Sequence, residues 1–258
     1  MKKVLTVAGS DCSGGAGIQA DIKTITMHKM YAMSVITAVT AQNTMGVTDV
    51  ENINPLLVGK QLDAVFCDIF PDGIKTGMVS SVEIIEKIAD KFKEYDAKNI
   101  VVDPVMVSTS GHRLISEDAV ETVINKLMPL ARVVTPNLSE AEVISGIKIT
   151  DREGMLKGAK IIAEKIETSV LLKGGHLDGT DLLYENGDIT WILGEKINNP
   201  NTHGTGCTLS SAIACNLAEG QNLKDAVKNA KAYLTGAISA KLDIGKGRGP
   251  LMHNYILK

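Results

Sequence analysis

Residues 3–25, KVLTVAGSDCSGGAGIQADIKTI, read as a strand, a turn and a helix. The apolar, β-branched run ends at Gly9, and Ile18, Ile22 and Ile25 then recur at helical spacing. The glycines between the two patterns are typical of a tight turn. The stretch therefore predicts the first strand–helix unit of an α/β protein.

The same alternation continues along the chain. Further strands are predicted in MSVITAV, GIKTGM, NIVVDP, ARVVTPN and SVLLKGG. Helical patterns separate or follow them at about 58–69, 82–92, 120–127, 138–146, 151–167, 206–219 and 222–241. Strands that alternate with helices predict right-handed crossovers and a mostly parallel sheet. We therefore expect a three-layer α/β/α sandwich.

One stretch departs from this rhythm. DLLYENGDITWIL, residues 181–193, places Asn186 and Gly187 between two strand-like runs. Asn-Gly in that position predicts a β-hairpin, which we place at the edge of the sheet. The chain contains no repeat, low-complexity tract or linker. We therefore predict a single domain spanning residues 1–258.

Composition narrows the class of function. The net charge of −3 gives no electrostatic basis for binding nucleic acid or an anionic membrane, and 3% aromatic residues offer few stacking surfaces. No apolar run is long enough to cross a bilayer. The four cysteines form no C-x-x-C pair, so a zinc site is not expected. With no export signal, we expect free thiols and a cytoplasmic location.

Glycines, carboxylates and polar side chains follow the predicted strands. They lie in GSDCSGGAG, TAQNT, TGM, DPVM, TPNLSE and KGGH. In open parallel sheets ligands bind beyond the carboxyl ends of the strands. We therefore expect the functional site at this rim.

The stretch HGTGC, residues 203–207, precedes a helix of small residues. Gly204 and Gly206 could expose successive backbone N–H groups at the positive end of that helix, which would form an anion site. The alternative is an ordinary helix cap supplied by Thr205. The common phosphate motifs G-x-x-x-x-G-K-[ST] and G-x-G-x-x-G are absent.

These motifs, in this order, resemble one known family. GSD.SGGAGIQAD, TAQNT, KTGM, DPVM, TPNLSEA, LLKGGH and THGTGCTLSSAIA are similar to the hydroxymethylpyrimidine/phosphomethylpyrimidine kinases of thiamine biosynthesis. These kinases belong to the ribokinase-like superfamily, close to the pyridoxal kinases. The resemblance implies a ribokinase-like fold, ATP and Mg²⁺ as cofactors, and phosphorylation of a hydroxymethylpyrimidine and of its monophosphate. It also implies a homodimer.

The resemblance assigns the phosphoryl-transfer residues to the GTGC stretch. Gly204, Thr205 and Gly206 would bind the transferred phosphoryl group, and Cys207 would be the base that accepts the substrate proton. We expect the helix N-terminus to lower the pKa of the Cys207 thiol. The alternative is a buried, unreactive residue, which is also what we expect for Cys67 and Cys215.

The resemblance also assigns the nucleotide and metal residues. Asn137 and Glu140 would organise Mg²⁺ and its waters, although the pair also fits a helix capping box. Lys173 would contact the phosphates, and Asp103 would support the metal or Lys173. The complete predicted sets are Asn137, Glu140, Lys173, His203 and Thr205 for the nucleotide, and Glu140 and Asp103 for the metal.

Gln42 is the predicted specificity residue, because its amide offers the donor and the acceptor that an aminopyrimidine edge requires. Asp21 is a second candidate polar contact, and its alternative is an exposed helix position. The other predicted substrate contacts are Gly9, Met78 and Val105, of which Met78 and Val105 could equally be core.

Two further features are open. Cys12 stands where the family leads us to expect serine or proline, and it could confer sensitivity to oxidants if the loop is exposed. GKGRGP, residues 245–250, resembles the family's C-terminal loop and is expected near the nucleotide. The alternative functions are a pyridoxal kinase and a binding protein that has lost catalysis.

Overall fold

The computed structural model describes residues 1–106, 115–175, 177, 179–194 and 197–257. Its centre is a nine-stranded mixed sheet with the strand order β3-β2-β1-β4-β5-β6-β7-β8-β9. The strands are β1 Lys3–Asp11, β2 Tyr31–Asn43, β3 Gly46–Asn52, β4 Gly73–Thr76, β5 Ile100–Val102, β6 Val133–Val134, β7 Ser169–Leu172, β8 Asp181–Glu185 and β9 Asp188–Ile192. Strands β2, β1, β4, β5, β6 and β7 run parallel, and β3, β8 and β9 are added antiparallel at the two edges.

The helices lie between and after the parallel strands. They are α1 Gly17–Met27, α2 Pro55–Asp68, α3 Val82–Glu94, α4 Glu117–Thr122, α5 Leu138–Ser145, α6 Arg152–Ile166, α7 Thr205–Ala218 and α8 Leu223–Ser239. A π-helical turn, Val123–Leu127, continues α4. Within the described residues, no helix is both long and apolar enough to cross a membrane.

The sheet separates two apolar cores. Helices α2, α3, α5 and α6 cover one face, and α1, α7 and α8 cover the other. Strand β5 shows why the central strands are apolar at consecutive positions. Ile100 and Val102 enter the first core, whereas Val101 enters the second. A strand buried on both faces needs apolar residues at every position. The α/β/α layering expected from the sequence is confirmed.

The predicted hairpin is also confirmed. β8 and β9 pair through the turn at Asn186 and Gly187, whose φ angles are 51° and 91°, and β9 is the edge strand. The sequence reading missed β3 at the opposite edge. Its residues GVTDVEN are mostly exposed and polar, so no apolar periodicity marked it.

Candidate active site

The HGTGC stretch begins α7. Gly204 has φ 85° and precedes the helix, and a Cβ on it would overlap the carbonyl oxygen of Gly15. A side chain is therefore excluded twice, by the left-handed backbone and by the approach of the β1–α1 loop. Thr205 is the first helical residue and makes no side-chain cap, so the interpretation of Thr205 as the helix cap is wrong.

Gly206 faces an ion pair between two strand ends. Lys173 Nζ lies 2.9 Å from Asp103 Oδ1, and the two side chains are 17% and 3% exposed. A Cβ on Gly206 would lie 3.2 Å from Asp103 Oδ2 and 3.6 Å from Lys173 Nζ. Because Gly206 has no side chain, the start of α7 opens directly onto this pair. Burial lowers the pKa of Lys173, but Asp103 and Glu140 outweigh that effect and raise it, so the ammonium stays charged.

Asn137 and Glu140 form the expected capping box at the start of α5. Glu140 N–H donates to Asn137 Oδ1 at 2.9 Å, and Asn137 N–H donates to Glu140 Oε2 at 2.8 Å. Glu140 is nevertheless buried. Burial, together with the charge of Asp103, raises its pKa to about 7 against the opposing effect of Lys173.

The donor set fits Mg²⁺ better than a metal enclosed by protein. The described residues include no group of three or more His, Cys, Asp or Glu side chains arranged around one point. Asp103 and Glu140 supply two neighbouring carboxylates beside the Lys173 ammonium. Mg²⁺ is commonly held by one or two carboxylates, waters and substrate phosphates. These two residues therefore suit an ion that arrives with a nucleotide.

Cys207 lies in the first turn of α7, close to a second helix start. The N–H of Gly17, the first residue of α1, lies near its sulfur. Burial nevertheless raises the pKa of Cys207 to about 11, and the nearby Lys75 only partly opposes that effect. The expectation of a lowered pKa was therefore wrong for the free chain, because desolvation outweighs the helix N-terminus.

Asp21 and Lys75 form a sealed ion pair beside Cys207. Lys75 Nζ lies 2.9 and 2.8 Å from the two Asp21 oxygens, and both side chains are 0% exposed. Thr6 Oγ1 and Ser211 Oγ also donate to Asp21, at 2.6 and 2.7 Å. The exposed-helix alternative for Asp21 is wrong. The sequence analysis also missed Lys75, whose signal is a lysine inside the fully buried strand β4.

Gln42 lies at the other side of the rim. Its Nε2 is 3.2 Å from His203 Nε2, and His203 Nε2 is 2.9 Å from Asp11 Oδ2. The Asp11 carboxylate also accepts hydrogen bonds from the backbone of the loop that follows β1, at Ser13, Gly15 and Ala16. The structure thus brings His203, predicted from the sequence as a nucleotide contact, against the predicted specificity residue.

Three other predicted substrate contacts also line this rim. Gly9 is buried against Met78, since a Cβ on Gly9 would lie 2.6 Å from Met78 Cε. Met78 and Val105 are partly exposed, and Val105 shares a small cavity with Thr76 and Asp103. These positions suit pocket walls as well as core.

Residues 245–250 pack against Thr44, which follows Gln42 by two positions. Lys246 and Gly247 N–H groups donate to Thr44 Oγ1, and Arg248 N–H donates to the Thr44 carbonyl at 3.0 Å. The same loop reaches the α7 start, because His203 N–H donates to Gly249 O at 3.1 Å. The loop expected near the nucleotide is therefore fixed to the turn between β2 and β3.

The remaining cysteines differ in exposure. Cys215 is fully buried, as an unreactive core residue should be. Cys67 is exposed and lies 3.3 Å from the Tyr95 hydroxyl, so the expectation of burial there was wrong. Cys12 is exposed, and its sulfur lies 3.1 Å from Gln42 O and 3.3 Å from Gln42 N.

Comparison with known proteins shows the family of the chain. The family model for phosphomethylpyrimidine kinase matches residues 11–252. The chain belongs to this family. It is an ATP-dependent kinase with the ribokinase-like fold.

Two curated relatives of this kinase illustrate the similarity. A hydroxymethylpyrimidine/phosphomethylpyrimidine kinase of Rhizobium meliloti is 51% identical over 255 residues, covering 96% of each chain. The thiamine biosynthesis bifunctional protein ThiED of Geobacter sulfurreducens is 49% identical over 97% of this chain, which spans only 52% of that longer protein.

Two solved structures extend the comparison. A phosphomethylpyrimidine kinase of Clostridium difficile 630 is 47% identical, with a TM-score of 0.83 over 92% of this kinase and 100% of that chain. A Bacillus subtilis pyridoxal kinase in an ADP complex is 36% identical, with a TM-score of 0.92 over 100% of this kinase and 99% of that chain.

Proposed function

We propose that this kinase transfers the γ-phosphoryl group of ATP to the hydroxymethyl group of 4-amino-5-hydroxymethyl-2-methylpyrimidine. In a second reaction it converts the monophosphate to the pyrophosphate, as thiamine biosynthesis requires, and residues 1–258 act as a single kinase domain. One observation carries the proposal: the turn Gly204–Gly206 opens onto the Lys173–Asp103 pair and leads into Cys207.

The phosphate side supplies positive charge without a P-loop. The first N–H groups of α7 lack helical partners and can bind the transferred phosphoryl group. Lys173 stands beside them as a charged donor. Preorganised donors of this kind stabilise the charge that develops on phosphate oxygens during transfer.

Cys207 is the proton acceptor in this proposal. The bond between the γ-phosphorus and the ADP oxygen breaks, the bond to the substrate oxygen forms, and the hydroxyl proton passes to the thiolate. A pKa of about 11 leaves only a small thiolate fraction at neutral pH, so turnover should rise with pH.

Asp103, Glu140 and Asn137 are the residues that would hold Mg²⁺ with the nucleotide. The ion would neutralise phosphate charge when bound. The raised pKa of Glu140 supports this role, because a buried carboxylate beside Asp103 gains from a nearby cation.

Gln42 is the proposed contact to the pyrimidine, with Gly9, Met78 and Val105 as walls of the pocket. Asp21 is not a substrate contact in this proposal, because four hydrogen bonds already occupy its carboxylate. It holds Lys75 in place instead. Because His203 contacts Gln42, we assign it to the pyrimidine side of the site and not to the nucleotide.

Pyridoxal kinase activity is the second candidate, supported by the TM-score of 0.92 to the Bacillus subtilis pyridoxal kinase. A coupled ADP-release assay with hydroxymethylpyrimidine, its phosphate and pyridoxal tests both. We expect the higher kcat/KM for hydroxymethylpyrimidine and a smaller preference in Gln42→Met. A wild-type preference for pyridoxal would reverse the assignment.

We also propose a cytoplasmic homodimer. The β2–β3 hairpin exposes Val39 on β2 and Met45 in its turn, which supports association because exposed apolar surface favours contact with a second protein. Light scattering coupled to size-exclusion chromatography should give twice the 27.5 kDa chain mass. A single-chain mass at micromolar concentration would argue against the dimer.

A further inference from the structure

We propose that His203, held by Asp11, fixes the orientation of the Gln42 side-chain amide, with the carbonyl toward His203 and the NH₂ group toward Thr40. His203 is therefore a positioning residue for substrate recognition. This inference deepens the proposed function and rests on it for its meaning in catalysis. The orientation of the amide follows from assigning the proton of each hydrogen bond that links Asp11, His203, Gln42 and Thr40.

The first contact fixes the proton on His203. Asp11 Oδ2 lies 2.9 Å from His203 Nε2 and also accepts from the N–H groups of Gly15 and Ala16. Burial raises the pKa of Asp11, but hydrogen bonds from His203 and Ser13 hold it well below its usual range. An ionised carboxylate only accepts hydrogen bonds, so His203 Nε2 carries a proton and donates it to Asp11.

The second contact therefore needs an acceptor on Gln42. The atom 3.2 Å from His203 Nε2 is at the end of the Gln42 amide, where nitrogen and oxygen have the same shape. An NH₂ group there would face another N–H donor. Turning the amide by 180° places Oε1 opposite His203, where it can accept from Nε2–H together with Asp11.

Thr40 requires the same orientation independently. Its hydroxyl has one proton and lies 3.0 Å from Ser10 O and 3.1 Å from the other end of the Gln42 amide. The Ser10 carbonyl can only accept, so the hydroxyl proton goes to it. The Gln42 NH₂ group can then donate to Thr40 Oγ1, and each of these linked polar groups has a partner of the right kind.

The arrangement leaves Gln42 with one defined recognition edge. After these two bonds, Oε1 keeps a second lone pair and the NH₂ group keeps a second proton. A ligand with one donor and one acceptor side by side can use both, and an aminopyrimidine has that edge. Gly15 packs against the His203 ring, since a Cβ there would overlap the ring carbon Cδ2. The ring is thereby held in place between Gly15 and Gln42.

The functional test combines variants of His203 with a substrate pair. His203→Leu removes the donor, and His203→Gln keeps an N–H at nearly the same reach. The substrates are hydroxymethylpyrimidine and its 4-oxo analogue, whose C4 carbonyl and ring N–H reverse the donor and the acceptor of the aminopyrimidine edge. We expect His203→Leu to reduce the amino-to-oxo ratio of kcat/KM by about 10-fold or more, through KM, because an amide that is free to turn binds either edge. His203→Gln should keep the ratio within about threefold of wild type, the range of a retained hydrogen bond.

An unchanged ratio in His203→Leu, or an equal loss in His203→Gln, would overturn the inference while leaving the proposed function intact. A direct readout does not depend on activity. In nuclear Overhauser spectra of the ¹⁵N-labelled wild-type chain, the Gln42 NH₂ protons should contact Thr40 and not the His203 ring protons. The opposite pattern would overturn the assigned orientation even if no pyrimidine is phosphorylated.

Discussion

Two Lys–Asp pairs flank Cys207 and differ in burial rather than in chemistry. Lys75–Asp21 and Lys173–Asp103 have nearly equal N···O distances, 2.8 and 2.9 Å. The first is 0% exposed on both side chains, and its carboxylate takes further bonds from Thr6 and Ser211. In the second, the lysine is 17% exposed and faces the gap left by Gly206.

From this difference we expect the first pair to serve the fold and the second to serve a ligand. A charge sealed in a core must be matched by fixed partners, because no water can replace them. A lysine with exposed surface can instead turn to an incoming phosphate. Residue type alone therefore does not distinguish the two roles, and variants of each pair and of its neighbours should separate them.

The largest effect should come from Lys75→Met. It leaves the buried Asp21 without its cation, so we expect the free energy of unfolding to fall by about 3–5 kcal/mol. Urea unfolding followed by circular dichroism measures the loss. The double variant Lys75→Met/Asp21→Leu removes both charges and should recover part of it. A loss below about 1 kcal/mol in Lys75→Met would show that the pair is not essential to the fold.

Lys173→Met should have the reverse profile. We expect kcat/KM to fall by about 10²–10³-fold, because a donor to the transferred phosphoryl group is lost. The free energy of unfolding should fall by about 1–3 kcal/mol, less than in Lys75→Met, because the buried Asp103 loses its cation but keeps the hydrogen bond from Thr135. Lys148→Met is the matched control, because its partner Glu142 lies at the surface and its own side chain is 86% exposed. Equal kinetic losses in both variants would contradict the role of Lys173.

Cys207 lies between the two pairs, so its pKa depends on the charges of both. Because burial raises its pKa to about 11, its alkylation rate should rise about tenfold for each pH unit from 7 to 10. The measurement needs a background with Cys12→Ser and Cys67→Ser, which removes the exposed thiols. Cys207→Ala should lower kcat by about 10²-fold or more. A plateau in alkylation near pH 8 would instead indicate that the helix N-termini outweigh burial.

The smallest effects should come from two adjacent serines. Ser211 Oγ donates to Asp21 at 2.7 Å, whereas Ser210 Oγ is 3.5 Å from Asp103 Oδ2 and donates mainly to Gly206 O at 2.9 Å. We expect Ser211→Ala to lower the free energy of unfolding by about 1–2 kcal/mol. Ser210→Ala should cost about half of that or less, because its carbonyl partner keeps a helical bond. Parallel urea titrations compare them, and a larger loss in Ser210→Ala would remove the contrast.

Local patterns in the sequence determined much of the fold and part of the site. Apolar periodicity identified the parallel strands and their helices, and Asn186-Gly187 fixed the hairpin, because backbone preference and side-chain alternation act over a few residues. The same local chemistry predicted the Asn137–Glu140 capping box and the glycine turn before α7. The strand β3 escaped because an exposed edge strand imposes no apolar pattern.

Only the tertiary structure decided the partners and the electrostatic environment of the polar residues. Lys75 meets Asp21 across 54 residues, and His203 meets Asp11 across 192, and nothing in the local sequence marks either contact. The Cys207 pKa likewise depends on burial beneath two helix starts, which reverses the effect expected from its own helix. A pKa or a hydrogen bond is set by everything within a few ångströms, and folding brings those groups together from distant parts of the chain.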